Sequence, residues 1–174
     1  MKVSIQRPAA KRFDEKGRII YKRNDDGFEE WWEYSKFDRL SKYANSTGFE
    51  MIWEFDEQGN NIHHKTSTGT EFWYEFDERR NRIHEKINGL DNTIEFWNEY
   101  DENDRVVHIK SSTGYECWYE YDDNGDITHY KNSEGHESWH RYDENRKMIY
   151  NKDSADEYEI RYDEDGERTF INIK

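Results

Sequence analysis

Every 21 residues or so this chain repeats itself, and that period constrains the fold more than any other feature of the sequence. An aromatic residue followed by a pivot residue recurs at Phe13-Asp14, Tyr34-Ser35, Phe55-Asp56, Phe76-Asp77, Tyr100-Asp101, Tyr121-Asp122, Tyr142-Asp143 and Tyr162-Asp163. Successive pivots lie 21, 21, 21, 24, 21, 21 and 20 residues apart, with an insertion near Gly89-Leu90-Asp91 and a shortening near Ala155. A period this short holds one supersecondary unit, so the fold must be an array of near-identical pieces that bury surface against their neighbours.

Each unit reads as two strands. Six places before the pivot stands Glu29, Glu50, Glu71, Glu95, Glu116, Glu137 or Glu157, and four before it Trp31, Trp73, Trp97, Trp118 or Trp139, with Ile52 and Glu159 as exceptions. Odd places before the pivot are largely aromatic or apolar, as in Tyr115, Cys117, Tyr119 and Tyr121. A period of two means a strand with two unlike faces. A turn follows, such as DDNG at 122–125 or DEQG at 56–59, in which Asp opens the turn and Gly tolerates positive φ. The second strand carries His63, His84, His108 or His129 seven after the pivot, usually with Lys two further on, and a second turn such as KSSTG at 110–114 closes the unit.

The pattern predicts an all-β fold: an antiparallel meander of about eight 21-residue β-hairpin repeats, fifteen or sixteen strands in all. It forms one long twisted or curled sheet in a single domain over 1–174, with repeats from about residue 11. If each pivot faces its turn glycine, the Glu six before lies opposite the Lys nine after, and the Trp four before lies opposite the His seven after.

The strings FDEKGRI at 13–19, YDDNGDI at 121–127 and YDEDGE at 162–167 resemble the YD repeat of bacterial Rhs and related toxin proteins. The resemblance spans nearly the whole chain; it implies an all-β meander of the kind that forms wrapping shells, and no enzyme activity. The chain departs from that pattern in its Gly-x-Glu-x-Trp-x-Glu strand and in the turns where Asp38, Arg80, Asp104 and Arg146 replace glycine. By type it also resembles stand-alone bacterial immunity proteins encoded beside secreted toxins.

A charged fraction of 38% and a mean hydropathy of −1.41 would suit a disordered chain, but seven Trp, thirteen Tyr and nine Phe give it rings to pack. Forty Asp and Glu against 26 Lys and Arg leave a formal charge of −14, which repels nucleic acid and anionic membrane and attracts basic proteins. One cysteine, Cys117, excludes an internal disulfide, and it stands where other units have Phe72 and Phe96, as a small core substitute. The opening MKVSIQRPAAKRF lacks the apolar segment of a signal peptide and no stretch is apolar enough to span a bilayer, so the cytoplasm is the expected compartment.

No nucleophile–base couple, phosphate loop or calcium loop stands out from the repeated acids, so no catalytic residue, cofactor or metal is expected. Adjacent His63 and His64 face opposite sides of a strand, and the repeating histidines are read as structural. The Glu-x-Trp-x-Glu face has two readings. One is a solvated face of cross-strand ion pairs. The other is a recognition surface with Trp73, Trp97 and Trp118 as anchors and Glu71, Glu75, Glu95, Glu99, Glu116 and Glu120 as clamps for Arg and Lys. Glu78, Glu102 and Asp123 on the turns are second choices. The expected partner is a basic protein toxin, in particular a nuclease domain, neutralised by occlusion. A structural shell fragment and a carbohydrate-binding β protein are the alternatives.

Overall fold

The computed structural model describes residues 8–173. The segment 1–7, where the absence of a leader was read, and Lys174 at the end of the expected domain lie outside the described residues. Strands alternate with turns throughout: β1 (Ala10–Phe13), β2 (Ile19–Arg23), β3 (Glu29–Tyr34), β4 (Leu40–Asn45), β5 (Glu50–Phe55), β6 (Asn61–Thr66), β7 (Glu71–Phe76), β8 (Arg82–Asn88), β9 (Thr93–Tyr100), β10 (Val106–Ser111), β11 (Glu116–Tyr121), β12 (Ile127–Asn132), β13 (Glu137–Tyr142), β14 (Met148–Lys152), β15 (Glu157–Tyr162) and β16 (Arg168–Asn172). They form one antiparallel meander in sequence order, with β1 and β16 at its two unpaired ends, so the sheet is not closed. No helix is present among the described residues.

The chain divides into two compact units, one running to Phe76 and including Glu85–Thr93, the other comprising Asp77–His84 and Ile94 onward. Among the described residues, each strand packs against its neighbours in sequence within its unit. Burial is accordingly shallow: Tyr21, Cys117 and Ile160 are the buried hydrophobic residues among those described, and Cys117 does occupy the small core position expected of it.

The pivot aspartate owes its recurrence to the turn. In the turn at 122–126, Asp122 N donates to Asp126 O at 3.0 Å and Gly125 N to Asp122 O at 3.1 Å. The Asp122 carboxylate accepts the Asn124 and Asp126 N–H groups at 2.9 Å each. This is a three-residue loop with a glycine bulge, in which Gly125 takes φ 84°. Asp14, Asp101, Asp143 and Asp163 make the same pair of bonds, and Ser35 substitutes with its hydroxyl accepting Phe37 N–H at 3.3 Å. Burial opposes ionisation of Asp14, Asp56, Asp77 and Asp101, but these hydrogen bonds outweigh it and lower their pKa values. Their contribution to stability is therefore present above about pH 3.9 and lost as the pH falls below it.

The expected hairpin register needs correction. Inside the pivot hairpins Trp118 faces Lys131 and Glu120 faces His129, two residues away from the pairing expected. The same holds for Trp97 with Lys110, Ile52 with Lys65 and Trp139 with Lys152. Two one-residue steps cause this. The glycine bulge makes the pivot pair four residues on rather than three, and a second bulge between the last two residues of the first strand adds one more, as between Glu120 and Tyr121. An even total keeps each side chain on its face. The expected pairing of Trp with His and Glu with Lys does occur, across the second turn: His108 with Trp118 and Lys110 with Glu116, His63 with Trp73 and Lys65 with Glu71.

The bulge also accounts for the aromatic residue before the pivot. It leaves a carbonyl of the preceding hairpin beyond the ladder, and a tyrosine hydroxyl takes it: Tyr121 to Val106 O at 2.7 Å, Tyr34 to Ile19 O at 2.9 Å, Tyr100 to Arg82 O and Tyr162 to Met148 O. Serine closes four of the second turns, at Ser46, Ser67, Ser112 and Ser133: Ser133 N donates to Glu116 O and Glu116 N to Ser133 Oγ.

Where glycine is missing from the pivot turn, Asp38, Arg80, Asp104 and Arg146 hold φ of 59° to 71°. Asp104 offsets its strain by accepting from Asn81 and pairing with Arg79, whereas the Arg80 side chain is exposed. Arg80→Gly should therefore raise stability by about 0.5–1 kcal/mol, and Asp104→Gly by less, in urea denaturation.

Candidate functional site

Because successive hairpins share one register, the face bearing Glu and Trp is ruled into rows that run across five strands. One row reads Glu99, His108, Trp118, Lys131, Glu137, and the next Glu120, His129, Trp139, Lys152, Glu157, every step being a cross-strand pair. Each is an acid, an imidazole, an indole, a lysine and an acid.

The indole lies between the imidazole and the lysine. Trp118 stacks on His108 with centroids 5.0 Å apart and 6° between planes, and the Lys131 ammonium sits 5.1 Å from its centroid. Trp139 repeats this with His129 at 5.1 Å and Lys152 at 5.4 Å, and Trp73 with His63 at 5.0 Å and Lys86 at 5.9 Å. Trp97 stacks on His84 at 5.2 Å and 8°. A cation over an indole gains about 0.5–1 kcal/mol at exposed sites. Trp73, Trp118 and Trp139 thus each meet an imidazole and a lysine ammonium.

Two of these imidazoles, His129 and His108, are in turn held between two carboxylates, whereas His63 Nε2 is buried without a hydrogen-bond partner. His129 Nε2 lies 2.8 Å from Glu137 and Nδ1 3.2 Å from Glu120; His108 Nε2 lies 3.0 Å from Glu116 and Nδ1 3.4 Å from Glu99. His84 Nε2 reaches Glu95 at 3.0 Å and His63 Nδ1 reaches Glu54 at 3.4 Å. Burial works against the charge on His129, yet the bonds to Glu137 and Glu120 outweigh it and raise its pKa. That pairing stabilises fully below about pH 6.5, the unfolded value, and is lost as the pH rises through the higher folded value. On the opposite face burial lowers the pKa of His64 and of His140, so they contribute above about pH 6.5 and oppose folding below it.

The charge two places before the pivot follows the residue that faces it. Opposite Lys42, His63, His108 and His129 stand Glu33, Glu54, Glu99 and Glu120. Opposite Tyr21 and Tyr150 stand Arg12 and Arg141, whose guanidinium groups lie 4.2 and 4.3 Å from the phenol centroids. The tyrosine hydroxyls then donate to Glu29 and Glu157, the carboxylates a histidine would otherwise hold.

Of the residues singled out from the sequence, Trp73, Trp97 and Trp118 all lie on this face, each against a histidine. Glu95 and Glu116 are turned inward onto His84 and His108, and Glu71 faces Lys65 in the ladder. Glu75 is exposed at the end of β7. Glu120 is hydrogen-bonded to His129 and Glu99 lies 3.4 Å from His108 Nδ1, both remaining 71% exposed, and with Trp97 at 39% they belong to the accessible part of the face. Glu78, Glu102 and Asp123 are exposed in the turns. The sequence reading missed the four histidines and the lysines beside the indoles as members of the same site; the signal that marks them is the switch from Glu to Arg wherever Tyr replaces His.

Comparison with solved structures identifies the fold. A crystal structure of TcdB2-TccC3-Cdc42 matches with a TM-score of 0.58 at 12% identity, over 97% of this chain and 12% of that one. A crystal structure of TcdB2-TccC3 matches with a TM-score of 0.55 at 12% identity, over 98% of this chain and 12% of that one. This chain thus spans about 12% of the length of the chains it matches, and at this identity the likeness is one of fold. No family model and no curated protein matches the sequence.

The row chemistry predicts a compensating pair. Glu99→Arg alone puts a cation against His108 and should destabilise by about 0.2–1 kcal/mol, whereas Glu99→Arg with His108→Tyr recreates the Arg-Tyr pair and should restore most of the loss, as read from thermal melts of the three proteins.

Proposed function

We propose that the chain is an acidic protein-binding module, an immunity protein that neutralises a cognate basic toxin by occluding its active site. The observation that carries the reading is the exposed carboxylate row of Glu99 and Glu120, set beside the indoles in a protein of net charge −14. A nuclease domain must present Arg, Lys or His to phosphate, so an ordered acidic face complements it and speeds association. The rigidity of the rows supports this, because carboxylates already fixed on histidines lose little freedom when a partner's cations arrive.

A second reading is a structural shell segment, favoured by the likeness to TcdB2-TccC3 chains of which this one covers 12%. A reading frame that continues the 21-residue repeat beyond either end supports the shell; a toxin gene alongside supports immunity.

With the neighbouring toxin, association should slow as salt rises, and Glu99→Gln with Glu120→Gln should lower kon about tenfold while leaving the melting temperature nearly unchanged. Glu116→Gln, which acts inside the sheet, should do the reverse. On-rates indifferent to salt and to both exposed carboxylates would overturn the reading.

A further inference from the structure

Among the described residues the sheet begins at β1 and finishes at β16, and these two edges are oppositely charged. Residues 8–24, the hairpin of β1 and β2, hold six Lys and Arg against two acids, an excess of positive charge in a chain whose total is −14. Residues 153–173, the hairpin of β15 and β16, hold eight acids against two arginines. Among the described residues neither β1 nor β16 has a second partner in the sheet.

Both edges also carry apolar side chains in solvent. Phe13 on β1 is 57% exposed and Phe170 on β16 is 56% exposed, with Ile173 at 51%. On β16, Ile173 N donates to Glu157 O and Asp163 N to Glu167 O. By alternation the backbone groups of Arg168, Phe170 and Asn172 face away from β15, toward the open side. Such an edge is a template for another strand unless something opposes it.

Charge selects which strand. Two copies meeting β1 to β1 bring Lys11 and Arg12 against their equivalents, and two meeting β16 to β16 bring the acidic turns 163–167 together. Both are repulsive. The β1 edge of one copy against the β16 edge of another is attractive, and an antiparallel approach sets the basic turn containing Lys16 beside the acidic turn containing Glu164 and Glu167. Neighbouring turns within the chain are already joined in this way, by Lys16 with Asp38, Arg79 with Asp104 and Arg146 with Asp126.

We infer that β16 of one copy pairs with β1 of a second, extending the meander end to end. This surface is distinct from the carboxylate face and does not rest on the immunity reading. The contact is head-to-tail, so it adds copies without closing. It is also small, in the range of weak encounters below about 1,200 Å², and depends on concentration and salt.

Sedimentation velocity on the full chain tests this with two charge-reversed variants, Lys11→Glu with Lys16→Glu at one edge and Glu164→Lys with Glu167→Lys at the other, each checked for a β-rich circular-dichroism spectrum. Wild type should gain mass with concentration at low salt and lose it in about 0.5 M salt. Each variant alone should stay monomeric: β1 with its turn, residues 10–18, goes from a net +2 to −2 in the first, and the last turn with β16, residues 163–173, from −3 to +1 in the second, so the two edges of each variant carry like charge. An equimolar mixture of the two should associate again, since the acidic β1 edge of one meets the basic β16 edge of the other. A wild type that stays monomeric at high concentration and low salt overturns the proposal. So do variants that associate as wild type does, or a mixture that stays monomeric.

Discussion

A flat imidazole pressed on an indole and held at both nitrogens by carboxylates is the contact on which the acidic face of this sheet depends. In a single layer no second sheet or helix supplies an interior, so cohesion has to come from neighbours in the plane. Rings and ion pairs serve that purpose where isolated aliphatic side chains would stand in water. His108 against Trp118, with Glu99 and Glu116 at its nitrogens and Lys131 on the far side of the indole, joins four strands through side chains alone. A composition that would suit a disordered chain folds because its charges are placed opposite one another at each step of the ladder.

The turns make those rows possible. A loop without its glycine bulge, or a hairpin without the second bulge, shifts the pairing by one residue and sends indole and imidazole to opposite faces. The last hairpin shows what depends on this: β15 and β16 pair without the second bulge, Ile160 faces Phe170, and no row of the acid, cation and indole type forms there. The capped aspartate, the residue at positive φ and the tyrosine that takes the stray carbonyl act together as a register device.

The repeat, the strand count and the two unlike faces were legible in the sequence because a period of two within a period of 21 admits one arrangement. The meander order followed, since turns of three to five residues join only antiparallel neighbours. The hairpin register was not legible: a pivot facing its glycine is the simplest assumption, and nothing local to DDNG announces a second bulge two residues upstream. The wrong register hid the site's composition too. With Glu120 placed two residues from His129, the carboxylates looked like free clamps, whereas Glu95 and Glu116 are engaged by His84 and His108. The exchange of Glu for Arg opposite Tyr21 and Tyr150 was visible all along, but it has meaning only once the true pairs are known.

A face assembled this way has carboxylates placed before any partner arrives, and it differs in kind from the opposite face, where His64 stacks among rings and His140 meets the Ser138 hydroxyl. Titration of the histidine ring protons by NMR measures that difference directly. The account predicts that His129 titrates above about pH 6.5 and that His64 and His140 titrate below it. Seven histidines all titrating together near pH 6.5 would contradict the paired rows and the two-sided sheet that carries them.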